Sequence, residues 1–581
     1  MAWRKILAFF RAHTLSYLLG LVFMVTASTV QTLFPKVLGQ TIDLLRRAHF
    51  DPGAIRLNIL YILLIAAVTF ACTYFWRNLV IGNSRKLECD LRDHFYTHLQ
   101  RMSATFYSTR KTGDLIAYGI NDISAVRMAF GPTSAMAVNS LVVCAASIYS
   151  MCVSINWRLT LMALAPIPFI VFFTVRAGFA IRRRFKHVQE CFGTISGRIQ
   201  ENITGIRVIK AYVQEESEIR NFEGLNRDMS QANLNLVKVS ALLTPAIELC
   251  FSLSFVCTLI FGGQMVLGGV ISLGDFVAFN TYLVTIMTPI VSIGGVINNY
   301  QRGMASLARL NEIFSERPEI TEPAHPRTEA VRGGIEIKDL TFRYPGSQEK
   351  ALDHVSVVIP EGHTLGVVGR TGAGKTTLAS LLFRLYNVGD GHIFIDGDDI
   401  NRYSLKTLRS GISLAPQDNF LFSAAVGDNI RLFQQTFTEE DVERAAQQGC
   451  IYDHIRALRE GFATVLGERG VNLSGGQKQR VSIARSLIRG TPVLILDDTL
   501  SAVDTVTEGR ILGNLRRVRR GKTNIIIAHR LSAVREADEI LVLDHGRVVE
   551  RGTHEALVQK RGYYYDIYRE QSGKARDRVG A

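Results

Sequence analysis

Gly369-Arg370-Thr371-Gly372-Ala373-Gly374-Lys375-Thr376 has the spacing of a loop that cradles phosphate. In such a loop the glycines let backbone N–H groups turn inward on the phosphate oxygens, the lysine reaches the terminal phosphates and the following hydroxyl ligates Mg²⁺. Lys375 and Thr376 stand at those two positions and Thr377 follows them. Downstream, Leu473-Ser474-Gly475-Gly476-Gln477 offers a hydroxyl and small residues at a helix start, where free N–H groups form a second surface for anions. Asp497 and Asp498 close the apolar run Val493-Leu494-Ile495-Leu496, which places a carboxylate at a strand end. A single Gly-rich turn is weak information, and a lone histidine such as His529 at a strand end is ordinarily structural. The ordered series is far more specific than any member of it.

Those residues need a scaffold. Ile335-Glu336-Ile337-Lys338-Asp339-Leu340 alternates like a strand, and Thr364-Leu365-Gly366-Val367-Val368 is a strand feeding the phosphate loop. The uninterrupted apolar run at 493–496 fits a parallel strand covered on both faces. The helix from Lys375 onward aims its positive N-terminus at the phosphates. Pro318, Pro323 and Pro326, set among charged residues, mark a polar connector that cannot continue a helix.

The first part of the 581-residue chain is of another kind. Six stretches, near 15–36, 58–82, 131–154, 158–178, 241–268 and 275–298, are long enough to cross a hydrocarbon core of ~30 Å, which takes ~20 helical residues. No cleavable signal peptide is apparent, and Trp3 to Arg11 reads as an amphipathic segment lying in the interface. About 50 residues separate the second and third stretches and about 60 the fourth and fifth, both connections carrying helical periodicity. They hold Arg85, Lys86, Arg92, Arg101, Arg110, Lys111 and Arg127, then Arg182, Arg183, Arg184, Lys186 and Lys210. The positive-inside bias puts these connections, both termini and the phosphate-binding half in the cytoplasm; Arg46, Arg47 and Arg56 in an outer connection argue mildly the other way. Pro166, Pro168, Pro245 and Pro289 are candidate kinks, and Glu248 is a carboxylate within an apolar run. The eight cysteines lack paired or metal-like spacing and read as packing residues. The net charge of +14 suits nucleic acid in principle, but basic residues cluster beside the spans and six spans exclude that reading.

The series from Gly369 to His529 resembles the nucleotide-binding domain of the ATP-binding-cassette (ABC) transporters over roughly 335–570. Phe106-Tyr107 with Thr112-Gly113-Asp114-Leu115 and Asn121-Asp122, and then Glu201 to Ala211, resemble the two intracellular loops of the ABC exporters, whose coupling helices press on nucleotide-binding domains. The resemblance implies a membrane all-α six-helix exporter domain over 1–310, a linker over 311–334 and an α/β P-loop domain over 335–581. It implies that Tyr344, 25 residues before Gly369, stacks on adenine. It implies ATP held by Gly369, Arg370, Thr371, Gly372, Ala373, Gly374, Lys375, Thr376 and Thr377, with Mg²⁺ on Thr376, Gln417 and Asp497. His529, 32 residues after Asp497, would sense the γ-phosphate, and Ser501-Ala502-Val503-Asp504 would communicate between sites. The surface Ser474, Gly475, Gly476 and Gln477 would bind ATP held on the opposite subunit. One chain is then a half-transporter in the cell membrane, and a second half is required.

Asp498 departs from that family's pattern, where Glu usually polarises the attacking water. Asp keeps the charge but is shorter by one methylene, about 1.5 Å, and a misplacement of about 1 Å can cost around 10²-fold in rate. Thr499-Leu500 also replaces the usual Ala-Thr. This pattern resembles the weak half of heterodimeric bacterial multidrug exporters, whose partner chain carries Glu. Export of an amphipathic small molecule or lipid follows, with membrane lipid around it. The alternative is a homodimeric lipid or peptide exporter with Asp498 as a working carboxylate. No cysteine-protease-like extension precedes the first span, which argues against a peptide-processing exporter.

Overall fold

The computed structural model describes residues 2–46, 52–467, 470 and 472–579; Arg47 lies outside them. The chain forms two compact units, Met1–Gln100 with Thr112–Glu316, and Arg101–Lys111 with Arg317–Ala581.

Helices build the first unit. Among the described residues, five helical stretches are long and apolar enough to cross a membrane: Thr14–Arg46, Pro52–Arg101, Thr112–Leu164, Glu215–Leu267 and Leu273–Ser315. The fourth expected span, 158–178, is divided instead. Asn156 is extended (φ −164°, ψ 123°) and its side chain accepts from the N–H groups of Arg158 and Leu159, starting helix Trp157–Leu164. A turn at Ala165–Pro166 then separates it from Ile167–Thr204. Proline removes a donor and crowds the preceding turn, so the break falls where the ring sits. Pro245 and Pro289, by contrast, lie inside continuous helices.

The 50 residues of Pro52–Arg101 give about 75 Å of helix at 1.5 Å per residue, far more than a bilayer core needs. The long connections are therefore extensions of the spanning helices. At their tips sit two short helices, Ala104–Ser108 and Ile206–Ala211. Segment Arg101–Lys111 belongs to the second compact unit, the one that carries the phosphate loop.

Several charges of the first connection are paired. Glu88, buried, accepts Arg85 and Arg92 at 3.0 Å each and lies 3.2 Å from Arg127. Asp122 accepts Ser306 at 2.8 Å and Arg309 at 2.6 and 2.9 Å, tying Thr112–Leu164 to Leu273–Ser315. The N-terminal helix Ala2–Ala12 buries Ile6 and sets Trp3 5.7 Å from Phe130. All eight cysteines are free, but the packing expectation fails for Cys89, which is exposed 3.9 Å from Asp93.

The second unit carries two sheets. Strands β1 (Ile335–Phe342), β2 (Leu352–Ile359), β3 (Thr364–Gly369), β4 (Ile393–Ile395), β5 (Asp398–Asp399), β6 (Ile412–Ala415), β7 (Val493–Asp497), β8 (Thr523–Ile527), β9 (Glu539–Asp544) and β10 (Arg547–Gly552) appear in chain order. The antiparallel sheet runs β2-β1-β4-β5, and the larger one β10-β9-β3-β8-β7-β6. Within the larger sheet β9, β3, β8, β7 and β6 are parallel and β10 is antiparallel. Every residue of β7 is buried: the apolar run Val493–Leu496 has both faces covered, and Asp497 at its end is buried with it. A separate helical core, including Leu421, Val442, Ile451 and Val481, supports helix Gly475–Leu487. The expected linker 311–334 begins inside helix Leu273–Ser315, and only 316–334 has no helix; Glu322 accepts from the Leu405 N–H, and Arg327 N–H donates to the Arg402 carbonyl at 2.8 Å.

Candidate functional site

Parallel sheets collect loops at the carboxyl ends of their strands, where ligands bind. β3 ends at Gly369, β7 at Asp497 and β8 at Ile527, two residues before His529, with β8 hydrogen-bonded between β3 and β7. Residues more than a hundred positions apart thereby share one edge.

The phosphate loop enters helix Lys375–Leu382 through Gly374, which is left-handed at φ 94°. A side chain there would be strained and its Cβ would run into the Ala351 carbonyl oxygen, so glycine is required. Lys375 is buried, and its ammonium donates to the carbonyls of Gly369 and Arg370 at 2.8 Å each. The lysine folds back over its own loop. Burial pushes its pKa down, against the pull of Asp498 and Asp497. Thr376 Oγ1 donates to Asp497 Oδ1 at 3.2 Å. Burial raises the Asp497 pKa, opposed by that hydrogen bond and by Lys375, and reinforced by the like charge of Asp498. Burial and Lys375 hold His529 below its ordinary value, while Asp498 acts the other way. Lys375, Thr376, Asp497, Asp498 and His529 therefore form one electrostatic cluster.

The donor chemistry fits Mg²⁺. Thr376 and Asp497 offer hard oxygen ligands side by side, and among the described residues no group of three or more His, Cys, Asp or Glu could cage a metal unaided. A cation held by one hydroxyl, one carboxylate, water and substrate phosphates is the usual magnesium arrangement.

Other expected site residues sit differently. Gln417, two residues beyond β6, is exposed, and its carbonyl accepts from the Asn419 side chain at 3.2 Å. Tyr344 is half-buried, its ring 5.1 Å from Tyr386 and 5.2 Å from Phe342 in edge-on contacts. Its hydroxyl lies 3.0 Å from Thr377 Oγ1, so the Thr377 side chain faces the aromatic cluster. Arg370, at the loop's crest, lies over the Tyr563 ring at 5.7 Å.

Ser474 caps helix Gly475–Leu487 in a reciprocal box: its hydroxyl accepts from Gln477 N–H, and the Gln477 side chain accepts from Ser474 N–H at 2.7 Å. Gly475 has an open surface, its nearest neighbour to an added Cβ being Ala502 at 3.8 Å. Gly476 lies so close to the loop after β7 that an added Cβ would be 2.7 Å from the Ala502 carbonyl oxygen.

Sequence reasoning missed the residues that hold this loop. Buried Gln479 donates to Ser501 Oγ at 3.2 Å and accepts from Ala502 N–H at 3.0 Å. Arg530 donates to the carbonyls of Val503 and Ser501 and to buried Glu508 at 2.7 Å. A polar residue inside a helix or after a strand carries no periodic signal of such a task; only the fold brings partners 22 to 29 positions apart together.

Asp498 has a left-handed backbone at φ 47°, with its N–H donating to the Ile527 carbonyl at 2.9 Å. Asp and Asn tolerate that region better than other non-glycine residues. Thr499 and Leu500 after it are buried, and the Thr499 hydroxyl has no hydrogen-bond partner among the described residues.

Known proteins resemble the chain over nearly its whole length. The ABC transporter transmembrane region matches residues 17–290, and the ABC transporter family model matches 352–501. The multidrug resistance-like ATP-binding protein MdlA of Escherichia coli is 37% identical over 567 residues, covering 98% of this chain and 96% of that protein. An ATP-dependent lipid A-core flippase of Aromatoleum aromaticum is 36% identical over 510 residues, 88% of this chain and 84% of its own length. The structure of a bacterial Atm1-family ABC exporter with ATP bound superposes with a TM-score of 0.79 at 26% identity, covering 97% of this chain and 98% of that one. The chain belongs to the ABC transporters, as an ATP-hydrolysing half-transporter of the exporter kind with one helical transmembrane domain followed by one α/β nucleotide-binding domain.

Proposed function

We propose that this half-transporter exports amphipathic small molecules or lipids across the cytoplasmic membrane, paired with a different chain that carries Glu at the position of Asp498. Its termini and nucleotide-binding domain face the cytoplasm. ATP bound at its own site is hydrolysed slowly, while its signature, Ser474 to Gln477, completes the faster site on the partner.

The observation that carries the slow-site reading is Asp498 itself. Its carboxylate is one methylene, about 1.5 Å, shorter than a glutamate's and so reaches less far from the same backbone. Lys375 would leave the Gly369 and Arg370 carbonyls to meet the β/γ-phosphates, and loop N–H groups would take the remaining oxygens. Magnesium, when bound by Thr376 and Asp497, supplies neutralisation of the developing phosphate charge. His529, its pKa lowered first by burial and then by Lys375, would accept or donate a hydrogen bond at the terminal phosphate. Tyr344 stacks on adenine. For cargo, Glu248 lines an open cavity of about 380 Å³ with Phe251, Ser252, Phe255, Leu283, Val284 and Met287, an amphipathic lining.

One observation favours a homodimer: Asp498 is electrostatically part of the cluster with Lys375, Asp497 and His529, as a working base would be. Purification at native expression, with mass identification of the accompanying chain, separates the two. A distinct chain with Glu at this position is expected, and recovery of this chain alone sinks the heterodimer. ATPase stimulation by candidate lipids and drugs in nanodiscs then ranks cargo classes.

A further inference from the structure

The C-terminal helix Tyr563–Val579 touches the nucleotide site at two places. Its first residue lies under the phosphate loop, with the Tyr563 ring 5.7 Å from the Arg370 guanidinium and the Tyr563 hydroxyl donating to Asp544 at 3.0 Å. Two turns on, Gln571 clasps the segment after β8: its Nε2 donates to the His529 carbonyl at 2.7 Å, and its Oε1 accepts from the Leu531 N–H at 3.0 Å. Eight helical residues span about 12 Å, so one rigid rod joins the two loops. The rod is itself anchored. Buried Glu550 accepts from the N–H groups of Tyr563 and Tyr564 at 3.1 and 2.9 Å, and the fully buried Tyr564 meets His554 at 2.8 Å.

A carboxamide presents a fixed donor and a fixed acceptor side by side, and Gln571 uses both on backbone groups that flank Arg530. Those two peptide groups set the directions in which His529 and Arg530 leave the chain. His529 stands two residues past the end of β8, which is hydrogen-bonded between β3 with its phosphate loop and β7 with Asp497. Arg530 holds the Ser501–Val503 loop and Glu508.

We propose that Gln571 is a positioning residue for the γ-phosphate-sensing segment, acting through His529, and that the C-terminal helix sets this segment against the phosphate loop. The proposal rests on the reading of His529 given above. It assigns a task in ATP retention to a helix outside every phosphate-binding motif.

The test uses the full assembled transporter in nanodiscs: a bound photoreactive ATP analogue is chased with excess ATP, samples are cross-linked by light at successive times, and the loss of label on this chain, identified by mass, gives the dissociation rate at its own site. Gln571→Leu removes both hydrogen bonds and should raise that rate about five- to tenfold. Gln571→Glu keeps the acceptor for Leu531 N–H but loses the donor to His529, and should fall between wild type and Leu. His529→Ala should release nucleotide at least as fast, and Gln571→Leu added to it should change nothing more, because residues acting through one another are not additive. Wild-type retention in both Gln571 variants overturns the proposal, as does a double variant whose effect is the product of the singles. Wild-type retention in His529→Ala overturns the reading of His529 instead, and the proposal with it. If Gln571→Leu fails to assemble, Gln571→Glu decides: faster release upholds the clasp and wild-type release refutes it.

Discussion

The phosphate-loop face and the signature face of this chain solve the problem of holding one triphosphate in opposite ways. On the first, charges are buried and mutually perturbed: Lys375 is pushed down, Asp497 up and His529 down, each by burial first. Such a cluster is poised for an anion and a divalent cation, because both would relieve an uncomfortable balance of charge. On the second, Ser474 and Gln477 satisfy one another and Gly475 leaves open space, without a charged side chain among the four residues. That surface costs little to leave empty and adds only helix-end N–H groups when a phosphate arrives. On the function proposed above, the first face keeps its nucleotide and the second meets ATP held by another subunit.

The largest effect should come from breaking the neutral face without disturbing the fold. Gly475→Asp finds room, since nothing lies within 3.4 Å of its added Cβ, and puts a carboxylate where a phosphate must sit. Transport and ATPase activity in nanodiscs should fall by about 10²-fold or more, as when a preorganised donor site is lost, with the unfolding temperature unchanged. Gly476→Ala should behave otherwise. Its Cβ meets the Ala502 carbonyl oxygen at 2.7 Å, so activity and unfolding temperature should drop together. Equal unfolding temperatures for the two variants would break the distinction.

Breaking the charged face is next. Lys375→Ala removes the ammonium that would meet the β/γ-phosphates, and nucleotide cross-linking to this chain should be abolished. Turnover at the partner's site should persist in part. Undiminished occupancy of the variant's own site would refute the role given to Lys375. A smaller loss is expected where the faces meet. Gln479→Leu strips the Ser501 and Ala502 contacts and leaves the Ala502 N–H without its acceptor, a cost of about 1–3 kcal/mol. Turnover should fall several-fold with KM for ATP little changed; a shift in KM alone would mean the loop serves binding.

Much of this contrast is legible in the sequence, for physical reasons that can be named. The run Val493–Leu496 reads as a buried parallel strand because both its faces must be apolar, and it forms β7. The 50-residue helix Pro52–Arg101 follows from helical periodicity continuing past an apolar run. The break at Ala165–Pro166 is marked by its proline, though the residues do not say that Pro166 interrupts where Pro245 and Pro289 are absorbed. Pairing is the hidden part. Glu88 gathering three arginines, Gln479 gripping the 501–502 loop and Gln571 clasping His529 each depend on which elements the fold brings together. Cys89 stands outside the apolar runs, between Glu88 and Asp90, yet the spacing of the cysteines does not mark it as exposed. The left-handed turn at Asp498 was equally silent, because aspartate occupies ordinary backbone most of the time.

That turn shapes the smallest expected effect. Asp498→Asn removes the charge and leaves the backbone alone, since Asn tolerates φ 47° as Asp does. If reach and orientation are already deficient, losing the charge should lower steady-state ATPase of the assembled transporter by less than about threefold. Neutralising the partner's Glu should cost orders of magnitude. Asp498→Glu restores the missing methylene but sets a less tolerant residue on a left-handed backbone, so its gain in hydrolysis should be accompanied by a lower unfolding temperature, a strain of order 1 kcal/mol. The unfolding temperature separates the two contributions: a variant with unchanged stability and unchanged turnover would show that reach is not the limiting feature. A hundredfold loss in Asp498→Asn would show a working catalytic base at this position. The two ends of the dimer would then be alike, and the homodimer would be the correct assembly.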